Sequence, residues 1–176
     1  SSTGARADGT ANLGVSSARF NDLFLSGGVY LGGTGSANYL HDYEEGSYTV
    51  GFHDSDSGGN ASSTTTTGTY TKIGRVVTIQ FNVNNLSSSG LTGSSSICFD
   101  LPFAVDQEYG VGSVLSDTFN ISTGRTGMVS RTSSTSSSRG LFRAYGDNVT
   151  DVAVVWSGVN DGVTDFFVSL SYVTTT

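Results

Sequence analysis

From Gly46 to the C-terminus, apolar and polar positions alternate in short runs. Val77, Ile79, Phe81 and Val83 share one face of residues 76–84, opposite Thr78, Gln80 and Asn82. A period of two over such a length is the mark of a half-buried strand. Tyr48, Val50 and Phe52 do the same in 47–53. In 165–173, Phe166, Val168, Leu170 and Tyr172 alternate with Phe167, Ser169 and Ser171. Residues 70–73 and 76–84, joined by Gly74-Arg75, read as a hairpin. Further strands are expected over 94–103, ended at the sole proline, Pro102, and over 110–121, 125–131, 139–145 and 150–156. The last is apolar on both faces, so it is expected to be buried inside an assembly. Residues 54–68 and 132–138 read as polar loops. Eight or nine strands at this spacing, with no helical period and no βαβ alternation, predict an all-β fold. The expected form is an antiparallel β-sandwich, jelly-roll-like.

Residues 1–45 follow another pattern. Ser1 to Gly14 is small and polar. Phe20, Leu23, Phe24 and Leu25 then precede Ser26-Gly27-Gly28 and Val29-Tyr30-Leu31. This reads as two short apolar strands about a Gly-Gly turn, although the spacing of Phe20, Leu23 and Phe24 also permits one helical turn. Gly32-Gly33-Thr34-Gly35 is too flexible for the interior of an element. Such a segment cannot close a core alone and would be stable wound with identical neighbours. The chain therefore divides into a stem, 1–45, and a head domain, 46–176.

Composition sharpens this division. Hydrophobic residues other than glycine make up 36%, and charged residues only 13%, against about 25% charged in ordinary domains. Gly, Ser and Thr fill the gap, which disfavours helices. So little apolar material argues for a core shared among copies. The net charge is −7 with a single Lys, so there is no basic surface for nucleic acid. No run of apolar residues is long enough to insert in a membrane as a helix. Cys98 lies in the apolar run 97–101 and reads as a small buried hydrophobe. The chain starts at Ser1-Ser2, as expected of a piece of a longer or processed protein.

Ser17-Ala18-Arg19-Phe20, Asp22-Leu23 and Leu25-Ser26-Gly27-Gly28-Val29-Tyr30-Leu31-Gly32-Gly33-Thr34 resemble the stem of tail-fibre and related virion proteins of tailed bacteriophages. So do Tyr43-Glu44-Glu45-Gly46, Tyr70-Thr71-Lys72-Ile73-Gly74 and Leu101-Pro102-Phe103. The resemblance covers residues 13–103. It departs from the family's Thr-Trp-Thr-Pro after the glycine, where Ser47-Tyr48-Thr49-Val50 stands. It implies a homotrimer, an intertwined β stem leading through an acidic Glu-Glu-Gly turn into a C-terminal β head, and a location on the virion surface as a tail or capsid fibre. It also implies adhesion: the head recognises a cell-surface receptor. Related modules occur on capsid-decorating fibres and on adhesive fibres of bacteria.

The candidate chemistry is that of binding. His41, Asp42, Glu44 and Glu45 do not define a cleft with two opposed carboxylates, as a polysaccharide-degrading tailspike enzyme would need. Acids that cap amides or pair with arginines across subunits are the better reading. His53-Asp54-Ser55-Asp56-Ser57-Gly58-Gly59-Asn60 imitates the start of a calcium loop, but Thr65 stands where the closing Glu belongs, so no metal is assigned. There is no Gly-x-Ser-x-Gly elbow and no nucleotide fingerprint, hence no catalytic residue and no cofactor. Tyr145, Asp147 and Asn148 join a ring, a carboxylate and an amide in one loop, which suits the hydroxyls of a polysaccharide. Asn160 and Asp161 form a nearby turn that hairpin geometry alone also explains. Trp156 suits either sugar stacking or a core. Arg125, Arg131, Arg139 and Arg143 suit either an acidic glycan or acids across a trimer seam.

Overall fold

Alternation in sequence becomes alternation of burial. A computed structural model describes residues 9, 12–54, 59–106, 110–133 and 137–175, and the chain divides between Tyr39 and Leu40 into two units.

In the first unit the regular elements are β1 (Val29–Tyr30) and a 3-10 turn at Ser36–Asn38, followed at the junction by β2 (Tyr39–Leu40), which pairs with β1. The expected hairpin between 20–25 and 29–31 does not form. Its second arm turns to residues 39–40 instead, because Gly32, at φ +78°, lets the chain reverse after Leu31. Asn38 holds that reversal with its carbonyl and its side-chain amide, both on Leu31. The Tyr30 and Tyr39 rings stack at 4.7 Å. No described residue before Tyr39 is buried, and Tyr39 itself is half-buried.

The second unit is all-β. Its strands are β3 (Tyr43–His53), β4 (Ala61–Ile73), β5 (Val76–Leu86), β6 (Cys98–Asp100), β7 (Val111–Asp117), β8 (Gly127–Thr132), β9 (Arg139–Gly146), β10 (Val149–Ala153) and β11 (Thr164–Val173). Every pairing is antiparallel. The order β9-β6-β3-β4-β5-β11-β7-β8 returns to β9 and closes an eight-stranded barrel. β6 and β10 share one edge of β9, each pairing with half of it. Two stacked sheets were the expectation; a ring is what the ladders draw. Alternation has the same period in both, so it cannot separate them, and closure removes the open edges a sandwich would leave.

The core explains why two sheets looked plausible. Phe52, Phe81, Phe99, Phe142, Phe166 and Phe119 form a chain of rings with successive centroids 4.9–6.0 Å apart. Phe81 of β5 and Phe99 of β6 come from strands that do not pair, so opposite walls of the ring meet through aromatic side chains. Room for them is made by glycine. In register, Gly46 faces Tyr70, Gly68 faces Tyr48, Gly140 faces Phe99 and Gly127 faces Tyr145. At Gly140 a β-carbon would sit 2.2 Å from the Phe99 ring.

Several expectations are corrected here. Glu44-Glu45-Gly46 is not a turn but the start of β3, paired with Tyr70–Lys72. Residues 61–68, read as loop, are the first half of β4; a threonine run is β-branched and pairs well. The stretch expected to need an assembly for burial finds its own: Val154 and Trp156 are buried within this chain, and Val149–Asp151 are exposed. The Gly74-Arg75 hairpin forms as expected, with Gly74 at φ +57°. Of the polar loops, residues 55–58 and 134–136 lie outside the described residues.

Strand direction sorts the connections. Chain entry at Asp42, the β4–β5 turn and Thr174 share one end of the barrel, where Thr174 bridges Val105. The connections after β3, β5, β7 and β9, and the segment before β11, lie at the opposite end.

Candidate functional site

The opposite, loop-bearing end gathers most of the residues singled out from sequence. Tyr145 closes β9 and is 46% exposed, its ring lying over Gly127. Asp147 and Asn148 follow in the β9–β10 turn and are exposed, with Asn148 at φ +52°. Asn160 and Asp161 sit in the turn before β11. Asp161 accepts the Ser88 N–H at 2.6 Å, and the Asn160 carbonyl accepts the Thr164 hydroxyl at 3.2 Å. Trp156 is different. It is 1% exposed and donates its ring N–H to the His53 carbonyl at 2.9 Å, so its faces are used by the core and it offers none to a ligand.

Strain collects at the same end. Asn85, Thr118 and Asn148, the non-glycine residues with positive φ, close β5, close β7 and turn β9 into β10. A β-branched residue in that region is a true outlier, and such outliers favour ligand-holding segments. Thr118 is held there by the Val163 carbonyl, which accepts its hydroxyl, and by Thr164, whose hydroxyl it receives at 3.0 Å. Between the 119–122 and 155–158 segments lies a depression of about 190 Å³ lined by Phe119, Ile121, Ser122 and Ser157.

Asp54, first residue of the calcium-like loop, is buried. Burial alone would raise its carboxyl, but the Thr92 N–H at 3.2 Å and the Asn60 amide at 3.2 Å outweigh that and hold it below the usual carboxylate range. It ties the loop to the barrel end. Among the described residues no group of three His, Cys, Asp or Glu could hold a metal ion.

The acids near chain entry find partners within the chain. Lys72, buried on β4, pairs with Asp42 and lies over the Phe103 ring; Tyr70 donates to Glu44, and Tyr43 to Glu45 at 2.8 Å. Two of the four arginines also pair internally. Arg143 meets Asp151 at 2.7 Å, and Arg139 meets Asp100 at 2.7 Å.

Asp100 was missed from sequence, where it read as the end of an apolar strand. It accepts the Gly51 N–H at 3.0 Å and lies 3.3 Å from the His53 ring; burial pushes its carboxyl up, and the Gly51 N–H opposes this. The Cys98 thiol is buried, as expected.

No family model, no curated protein and no solved structure matches this chain.

The barrel's outer surface has two unlike halves. On β8, β9, β6 and β3 it carries Arg131, Arg143, Arg139, Asp100 and His53. On β4, β5, β11 and β7 the outward residues are hydroxyls, amides and a few apolar groups, with Asp117 and Asp165 facing each other at the loop-bearing end. That half holds a shallow trough of about 640 Å³ whose lining, with Gln80, Asn82, Ser113, Leu115, Phe167 and Ser169, carries no charge, the Asp117–Asp165 pair standing one step beyond Leu115 and Phe167. The trough was also missed from sequence. Its one signal there is Phe167, which interrupts an otherwise polar outward face of β11. No helix of the described residues is long and apolar enough to cross a membrane.

Proposed function

We propose that this chain is the tip of a homotrimeric fibre on a virion surface, attaching by multivalent, non-covalent recognition of a cell-surface glycan. The observation that carries the reading is the fate of the apolar residues between Leu13 and Leu31. Leu13, Phe20, Leu23, Phe24, Leu25 and Leu31 are each 53–92% exposed. Contiguous apolar surface of this kind marks an interaction site, and its simplest partner is the same segment of two further copies. A hollow of about 590 Å³ lined by Leu13, Val15, Arg19, Phe20 and Leu23 supports that partner, since it is apolar enough to take an aromatic side chain from a neighbour.

The barrel supports the other half of the proposal. Its loop-bearing end carries an exposed ring, exposed carboxylates and an exposed amide on strained backbone at Asn148, beside a small depression of about 190 Å³. Small sites bind weakly, and three on one assembly gain by effective concentration what each lacks.

The test is light scattering on the full chain. A mass near three times 18.2 kDa is expected. A stable monomer at micromolar concentration would sink the fibre reading. A trimer that binds no surface glycan would favour the second reading, a capsid-decorating fibre protein without a ligand of its own.

A further inference from the structure

The barrel wall of β4, β5, β11 and β7 carries no cation on its outward positions, and its chemistry is ordered. Strand register aligns its side chains in rows across three strands. Gln80 of β5 pairs with Ser169 of β11, which pairs with Ser113 of β7. Two residues along, Asn82 pairs with Phe167, which pairs with Leu115. Thr69 extends the first row onto β4. Adjacent strands lie about 4.8 Å apart, so the rows form a lattice of donors and acceptors with a spacing on the scale of one sugar ring. Leu115 is 68% and Phe167 43% exposed, and they stand side by side.

We infer that this trough is a lateral binding site for a neutral polysaccharide chain. Phe167, with Leu115 beside it, offers the apolar platform that the CH face of a pyranose needs. Gln80 and Asn82 each present a donor and an acceptor on one planar group, which matches paired hydroxyls. Ser113 and Ser169 add single hydroxyl partners.

The absence of charge from the trough sets the ligand class. An acidic glycan would find no cation here and would meet a chain of net charge −7. A peptide or a second copy of the chain fits worse. Protein interfaces of ordinary size bury about 800 Å² per partner around a core rich in aromatic residues and poor in serine; the trough has two large exposed apolar side chains, Phe167 and Leu115, set among serines, threonines and amides, and the wall's other exposed apolar groups, Ile73, Val76 and Val111, stand outside it. A saccharide uses both kinds of group, its CH faces on Phe167 and Leu115 and its hydroxyls on the side chains in the rows beside them.

The inference rests on the attachment reading for the ligand's class but places it on a different surface, and one set of measurements separates them. Full-length protein is titrated with neutral hexasaccharides of glucose, mannose and galactose, and with a sulfated and a uronic-acid oligosaccharide. At least one neutral probe binds, and Phe167→Ala weakens it on the order of tenfold. The double variant Gln80→Ala/Asn82→Ala weakens it comparably. All three positions are exposed, so these variants fold, and an unchanged melting curve checks this.

Binding of the acidic probes alone overturns the inference. So does binding that survives Phe167→Ala but is lost in Tyr145→Ala or Asn148→Ala, an outcome that leaves glycan attachment standing at the tip. If Phe167→Ala instead lowers the mass in light scattering, the trough is a contact between copies and the inference fails. A monomeric wild type that still binds the neutral probe through Phe167 upholds the lateral site while sinking the fibre.

Discussion

Residues 13–31 and the barrel draw on the same kinds of side chain and dispose of them in opposite ways. Phe24 is 92% exposed and Phe142 fully buried. Every buried apolar side chain of the described residues falls between Val50 and Tyr172, and none falls in the first unit. The low overall apolar content therefore does not starve the chain evenly. The barrel closes a complete core of its own by concentrating aromatic rings inside a ring of strands and placing glycine opposite three of them, Tyr48, Tyr70 and Phe99. The first unit has no such opportunity: its one ladder joins two-residue strands, and an isolated hairpin of that length is marginal in water. Under the proposed trimer, the need for partner copies belongs to one region, not to the whole polypeptide.

The sharpest break of this comparison is to separate the regions. Residues 40–176 alone are expected to fold cooperatively and to remain monomeric, so that the association expected of the full chain is abolished. Circular dichroism and light scattering on the same sample check both halves of the statement. A trimer that persists without residues 1–39 would move the association into the barrel wall.

A pair of substitutions probes the same contrast at single residues. Phe142→Ala opens a void between the Phe99 and Phe166 rings, at 5.0 and 4.9 Å, and is expected to lower the barrel's unfolding free energy by about 3–5 kcal/mol. Phe24→Ala removes a ring that touches no core, so its effect on the barrel is expected within about 0.5 kcal/mol. Its effect belongs to association, seen as a mass that falls with dilution. Denaturant melts of the two variants, side by side, measure the difference.

Much of the barrel was legible in sequence, and the reason is local. Where one face is buried and the other wet, as in Val77 to Val83 or Phe166 to Tyr172, the pattern shows the strand directly. Three things were not legible. Closure was hidden because β8 pairs on both sides without any mark in its own residues. The first half of β4 was hidden because its outward and half-buried positions are all Ser or Thr, which carry no alternation to read. The run Glu44-Glu45-Gly46, a turn by the resemblance, is strand, and its glycine serves the Tyr70 ring lying over it. Of the candidate site, the exposed turns could be read from Asp147-Asn148 and Asn160-Asp161-Gly162. Trp156 could not be settled from sequence, since a tryptophan ending an apolar strand suits a core or subunit interface better than a sugar platform without excluding the platform. The trough could not be seen because it joins the β4–β5 hairpin to β7 and β11, which are distant from it in sequence, and only register brings Gln80, Ser169 and Ser113 into line.

The smallest expected effect concerns how the barrel holds its loop-bearing end, and it follows from Asp54. Its carboxyl is stabilised in the charged form by Thr92 and Asn60, so its folded pKa lies below the unfolded value of about 3.9. The sign follows from linkage: the charged form is favoured by folding, so its contribution is fully present above the unfolded pKa and is lost as pH falls through the folded one. Melting temperature of the wild type is therefore expected to fall below about pH 4 by slightly more than that of Asp54→Asn. Asparagine keeps an acceptor for Thr92 but has no proton to gain in this range. The two curves, taken from pH 7 to pH 3, are expected to converge at the acid end and to separate at neutral pH, with the wild type higher. Because Asp54 joins the β3–β4 connection to residue 92 within the second unit, the same substitution is expected to leave the oligomeric mass unchanged. A shift in mass would show that the tip loops and the association of copies are energetically linked, and the division between a self-sufficient barrel and a partner-dependent segment would then be too sharp.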